Sequence, residues 1–117
     1  MRARIVSDLH FDLHRDDGHS LVDSILSWSP EECLIIAGDL CELRNFFPSI
    51  SRAFRRLVQP YEHVIYIMGN HEYYGRSPKE VLAGCANIRR LFPSVRIPED
   101  CSTIEIAGGK RMHCATL

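Results

Sequence analysis

The sequence predicts an α/β fold: a βαβαβα core on a parallel sheet, followed by a short β-rich end. Two observations carry that expectation. Three short, β-branched apolar runs alternate with stretches whose apolar residues recur at helical spacing. Each run also ends in polar residues, and Asp8, Asp39 and Asn70 follow one another at intervals of 31 residues, about one βαβ unit.

The first apolar run covers residues 3–7. The runs CLIIA at 33–37 and VIYIM at 64–68 are continuous rather than alternating, as in strands buried on both faces. Between the first two, Leu21, Val22, Ile25, Leu26 and Ser29 form a helical stripe stopped by Pro30. A second stripe runs through Phe46, Phe47, Ile50, Ala53, Phe54, Leu57 and Val58, with Pro48 in its first turn and Pro60 beyond it. The third helix is announced by Ser77-Pro78-Lys79-Glu80, a capping box with proline at the first helical position, and it ends before Pro93. Residues 94–97 and 101–106 then read as short strands. Gly108-Gly109 is a hairpin signal, and residues 110–114 return.

With 117 residues the chain is expected to form a single domain over 1–117, and 45% hydrophobic and 25% charged residues describe an ordinary globular protein. Fourteen basic against 15 acidic side chains leave no general attraction to nucleic acid or anionic lipid. No apolar run reaches the roughly 18 residues of a membrane span, so no membrane partner is expected and the cytoplasm is the default address. The five cysteines are odd in number and lack a C-x-x-C pair, which reads as free, mostly buried thiols.

The carboxyl ends of parallel strands lie along one edge, where ligands bind. Asp8, His10, Asp39, Asn70 and His71, spread over 64 positions, are therefore expected in one crevice. Carboxylate, imidazole and carboxamide at such ends suit a divalent cation of intermediate hardness: Mn²⁺, Fe²⁺ or Zn²⁺. Asp8 and His10, two apart, would point the same way from an extended backbone. Gly38 and Gly69 permit tight turns just after buried strands.

The run of SDLH, GDL and GNHE resembles the calcineurin-like metallophosphoesterases, which share D-x-H, G-D and G-N-H-[DE] in this order on consecutive βα units. The resemblance implies a four-layer α/β/β/α fold, of which this chain would supply the amino-terminal half. It implies metal-dependent hydrolysis of phosphate esters at a two-cation site, where the cations neutralise the phosphoryl oxygens and hold in-line geometry. Carried over, Asp8 and His10 bind the first metal, Asp39 bridges both and Asn70 binds the second. His71 would be the catalytic residue that protonates the leaving oxygen or stabilises the transition state. Glu72 would orient His71 or a neighbouring loop.

The family's later histidine and terminal Gly-His-x-His have no counterpart after His71, where His113 is the one further histidine. That leaves three ligands for one cation and two for the other, so one metal or none is expected in this chain alone. The domain reads as truncated on its carboxy-terminal side. Leu40-Cys41-Glu42-Leu43 stands where the protein phosphatases of the family carry Asp-Arg-Gly, which points to a small phosphorylated substrate, a phosphodiester or phosphomonoester, ahead of nucleic acid. Half of a two-sheet fold would leave an apolar face uncovered, so self-association is expected. The competing reading is a non-catalytic remnant that binds metal or phosphate and acts through that self-association. A plain nucleotide-binding domain lacks its Gly-rich loop here.

Overall fold

The computed structural model describes residues 2–28, 30–99 and 101–116. Its elements are β1 (Ala3–Val6), α1 (His19–Leu26), β2 (Cys33–Ala37), α2 (Ser51–Val58), β3 (His63–Ile67), α3 (Pro78–Leu91), β4 (Val95–Arg96), β5 (Ser102–Ile106) and β6 (Lys110–Cys114). Strands β1 to β4 form one parallel sheet in chain order, and β5 and β6 form an antiparallel hairpin. The expected α/β architecture is therefore present.

Strands laid down in chain order, with crossovers of one hand, place every helix on the same face. Val22 and Ile25 of α1, Ala53, Phe54 and Leu57 of α2, and Val81, Cys85 and Ile88 of α3 accordingly share one core with Leu34, Ile36, Val64 and Tyr66 of the sheet. Strand alternation turns the remaining residues to the opposite face. There Cys33 and Ile65 are buried, Ile35 and Ile67 half-buried, and Ile5 on the edge strand is 67% exposed. The hairpin is tied to the sheet by Arg96 donating to the Glu105 carbonyl at 2.8 Å and by the Thr116 hydroxyl donating to the Met68 carbonyl at 2.6 Å.

Local signals account for most boundaries. The Ser77 cap forms both halves of its box: the Glu80 amide donates to Ser77 Oγ at 3.2 Å and the Ser77 amide to Glu80 Oε1 at 3.0 Å. Gly108 and Gly109 turn the hairpin at φ of 79° and 72°.

Three expectations need correction. The second helix starts five residues later than its apolar stripe suggests, at Ser51, because Phe47 is extended (φ −103°, ψ 143°). A residue before proline is driven out of the helical region, so Phe46 and Phe47 belong to an irregular lead-in. The strand expected over 94–97, at the start of the β-rich end, shrinks to Val95–Arg96 and extends the parallel sheet beside β3. The first helix ends at Leu26, and Ser29, the last residue of its stripe, lies outside the described residues.

Candidate metal centre

The carboxyl ends of β1, β2 and β3 carry the site. Beyond its last sheet pair, the β1 chain stays attached to the β2 chain: the Asp8 amide donates to the Gly38 carbonyl, the His10 amide to that of Asp39 and the Phe11 amide to that of Leu40. The route is not extended. Asp8, His10 and Asp39 all have left-handed backbones, with φ of 53°, 45° and 55°. The expectation that strand alternation aims Asp8 and His10 together therefore fails. A curled backbone does it instead, leaving Asp8 Oδ1 3.8 Å from His10 Nε2.

Two glycines let the loops after β2 and β3 meet. A Cβ on Gly38, whose φ is +80°, would lie 2.9 Å from Gly69 Cα. A Cβ on Gly69 would collide with the Asp39 carboxylate and lie 2.7 Å from the Asp39 amide nitrogen. Only glycine at 69 permits that approach.

Asp39 is 8% exposed and sits among the other groups. Its Oδ1 accepts from the His71 amide at 3.0 Å, and its Oδ2 lies 3.1 Å from His71 Nδ1. A carboxylate only accepts, so Nδ1 carries the hydrogen in this contact. The His10 and His71 rings meet edge to face with centroids 4.5 Å apart, and Tyr74 lies against the other side of His71 at 4.4 Å. Nitrogen and oxygen atoms of His10, Asp39 and His71 all lie within 4.8 Å of one another. Asp8 stands at the rim of this cluster, more exposed. Asp8, Asp39 and Asn70 are among the residues lining a cleft of about 270 Å³, together with Ile67, Met68 and Thr116.

The donor set fits a cation on two counts. His10 Nδ1 is buried with no hydrogen-bond partner. Asn70 sits against Asp39 so that one orientation of its amide donates to Oδ1 and Oδ2 at 3.1 Å each, while its carbonyl accepts from the Tyr74 hydroxyl at 3.2 Å. The other orientation sets the Asn70 carbonyl oxygen against the carboxylate, acceptor to acceptor, and a cation between them turns that contact from repulsive to favourable.

Glu72 is the least exposed charged residue of the site, at 0%. Its Oε1 accepts from the amides of Asp39 (2.9 Å) and Gly69 (2.7 Å), and its Oε2 from the Leu40 amide (2.8 Å) and the Tyr66 hydroxyl (2.7 Å). Burial and the neighbouring Glu72 charge hold the Tyr66 hydroxyl well above the usual tyrosine range, so Tyr66 is a fixed donor. Sequence reasoning missed Tyr66, although a tyrosine inside a buried strand needs a hydroxyl partner.

Other polar residues take structural roles. Asp12 accepts from the Glu42 amide and Asn45 Nδ2, and His14 contacts the Leu9 carbonyl. Arg56 pairs with Asp23 and His19, Arg55 stacks on Phe92 at 4.7 Å, and Arg89 donates to the Ile97 carbonyl. Cys33, Cys41, Cys85 and Cys114 are buried and Cys101 exposed, all without disulfides. No helix among the described residues is long and apolar enough to cross a membrane.

A curated relative, an uncharacterized protein of Acanthamoeba polyphaga mimivirus, is 29% identical over 102 residues, covering 79% of this chain and 36% of the relative. The chain thus spans well under half the length of that relative. No solved structure matches. The sequence model for calcineurin-like phosphoesterases matches residues 1–114, from the first strand through the hairpin. That span takes in all three strand-end loops, and the chain belongs to the calcineurin-like phosphoesterase family.

Proposed function

We propose that the chain carries the amino-terminal part of a divalent-metal centre that hydrolyses phosphate esters, with small phosphodiesters or phosphomonoesters as substrates. Asp39 carries the reading: one carboxylate faces His10, Asn70 and His71 together. Family membership implies use of a divalent metal. Asp8, His10 and Asp39 would hold the first cation, and Asp39 and Asn70 the second, with Mn²⁺, Fe²⁺ or Zn²⁺ matching the mixed donors. Bound there, such cations supply Lewis acidity and neutralise phosphoryl charge.

The chain's own residues do the rest. Asp39 Oδ2 holds His71 through Nδ1–H, which fixes the ring; in its doubly protonated form the ring would give the Nε2 proton to the leaving oxygen and remain as the neutral Nδ1–H tautomer. Tyr74 stacks on the ring and limits its rotation. The cleft beside Asp8 and Asn70 gives the ester room.

A catalytic ion usually takes at least three protein ligands, and the second cation has two among the residues named here. We therefore infer that full activity draws on ligands beyond this set, in a longer polypeptide or a partner. Without them the chain acts as a metal- or phosphate-binding module. Mn²⁺ titration followed by electron paramagnetic resonance, with hydrolysis of bis-p-nitrophenyl phosphate in parallel, tests both. Saturable binding that Asp39→Asn abolishes supports the centre, and metal-dependent turnover lost with it supports the enzyme. No uptake at millimolar Mn²⁺ refutes both.

A further inference from the structure

We propose that Glu72 is a positioning residue that sets the geometry of the metal centre by clamping the loop after β2 to the loop after β3. This rests on the metal-centre reading above and goes beyond it in naming what holds the centre together.

A carboxylate offers about four acceptor positions, and all four are taken by donors from three separate places in the chain. The amides of Asp39 and Leu40 come from the end of β2, the Gly69 amide from the end of β3, and the hydroxyl from Tyr66 within β3. One oxygen, Oε1, takes the Asp39 and Gly69 amides together. It thereby joins the residue that carries the central carboxylate to the residue just before Asn70. Glu72 points into the protein while its neighbour His71 is half-exposed at the site, so the clamp lies behind the ligands and touches none of their donor atoms.

The arrangement is specific to a carboxylate. In Glu72→Gln the NH₂ group at the Oε2 position can still donate to the Tyr66 hydroxyl, but it meets the Leu40 amide donor to donor, and that bond is lost. The loop after β2 is then held less firmly, and Asp39 with it. Residues that orient metal ligands from behind typically cost 10–100-fold in metal affinity or activity when changed.

The test is Mn²⁺ titration of the intact chain by electron paramagnetic resonance, at a temperature where circular dichroism shows each variant folded. Glu72→Gln should bind Mn²⁺ at least about tenfold more weakly than the wild type. Leu57→Ala, a core change in α2 away from the loops, should lower the melting temperature and leave Mn²⁺ affinity unchanged. Wild-type affinity in Glu72→Gln overturns the proposal, and so does an equal loss in Leu57→Ala at matched stability. If Glu72→Gln does not fold, hydrogen exchange on the wild type decides. The amides of Asp39, Leu40 and Gly69 should slow together on adding Mn²⁺, and exchange indifferent to the metal overturns the proposal. A wild type that binds no Mn²⁺ instead refutes the metal-centre reading first.

Discussion

Gly69→Ala places one methyl group at the tightest point of the site. Gly69 does not have a positive φ, so alanine meets no backbone penalty there, and the whole effect is steric. The added Cβ would lie 2.7 Å from the Asp39 amide nitrogen and 3.0 Å from Asp39 Cγ, besides colliding with Oδ1. Ordinary contact begins near 3.4 Å, so the loops must part by several tenths of an ångström. Backbone has to give, because Gly38 Cα packs against the same turn. Overpacking of this kind costs about 1–3 kcal/mol, whereas restricting the unfolded chain returns about 0.4–1 kcal/mol. The net expectation is a destabilisation of about 1–2 kcal/mol in urea unfolding. Mn²⁺ affinity should fall at least about tenfold, since Asp39 is the residue displaced. Unfolding and metal binding both at wild-type values would refute the close-approach argument.

Two further outcomes follow from the same contacts. Ser77→Ala removes the α3 cap and should cost about 1 kcal/mol. Separately, the Ser77 amide and then its hydroxyl hold the Glu80 carboxyl below its usual range, so the Glu80 contribution is full above the ordinary carboxylate pKa and fades as pH falls through the lowered value, which acid unfolding of wild type and Glu80→Gln will resolve. Burial pushes the thiols of Cys33, Cys41, Cys85 and Cys114 up. Their stabilisation is therefore complete below the ordinary thiol pKa and is lost as pH rises beyond it. In native protein iodoacetamide should modify Cys101 first, as peptide mass spectrometry will show, and rapid labelling of Cys41 would contradict the core described here.

The strand-end arrangement was readable in the sequence because it depends on periodicity and order. Continuous apolar runs at β2 and β3, a capping box at Ser77 and glycines at 108 and 109 are each local signals with a local cause. Long-range and backbone effects were not readable. The lead-in to α2 carries a helical apolar stripe, yet Pro48 overrides it at Phe47. Asp8 and His10 show the reverse case: their spacing suggested alternation, but their convergence comes from left-handed turns held by bonds to a different loop. Glu72 was expected to orient its neighbours, but no spacing rule could say that its partners would be backbone amides some thirty residues upstream.

The strain at the site argues for why that clamp is needed. Asp8, His10 and Asp39 each occupy a left-handed backbone that costs a non-glycine residue about 1–3 kcal/mol. Such conformations persist only where the surroundings over-determine them. Here the over-determination is visible: amides of Asp8, His10 and Phe11 bond across to the loop after β2, and Glu72 accepts from amides of the loops after β2 and β3. A loop free of those bonds would relax and separate the carboxylate of Asp39 from the imidazoles of His10 and His71. His10 Nδ1, buried there without a hydrogen-bond partner, is costly until a cation arrives. The stability that keeps these groups there comes from the parallel sheet and its helices, which is why a metal centre can be built on loops that would not hold it alone.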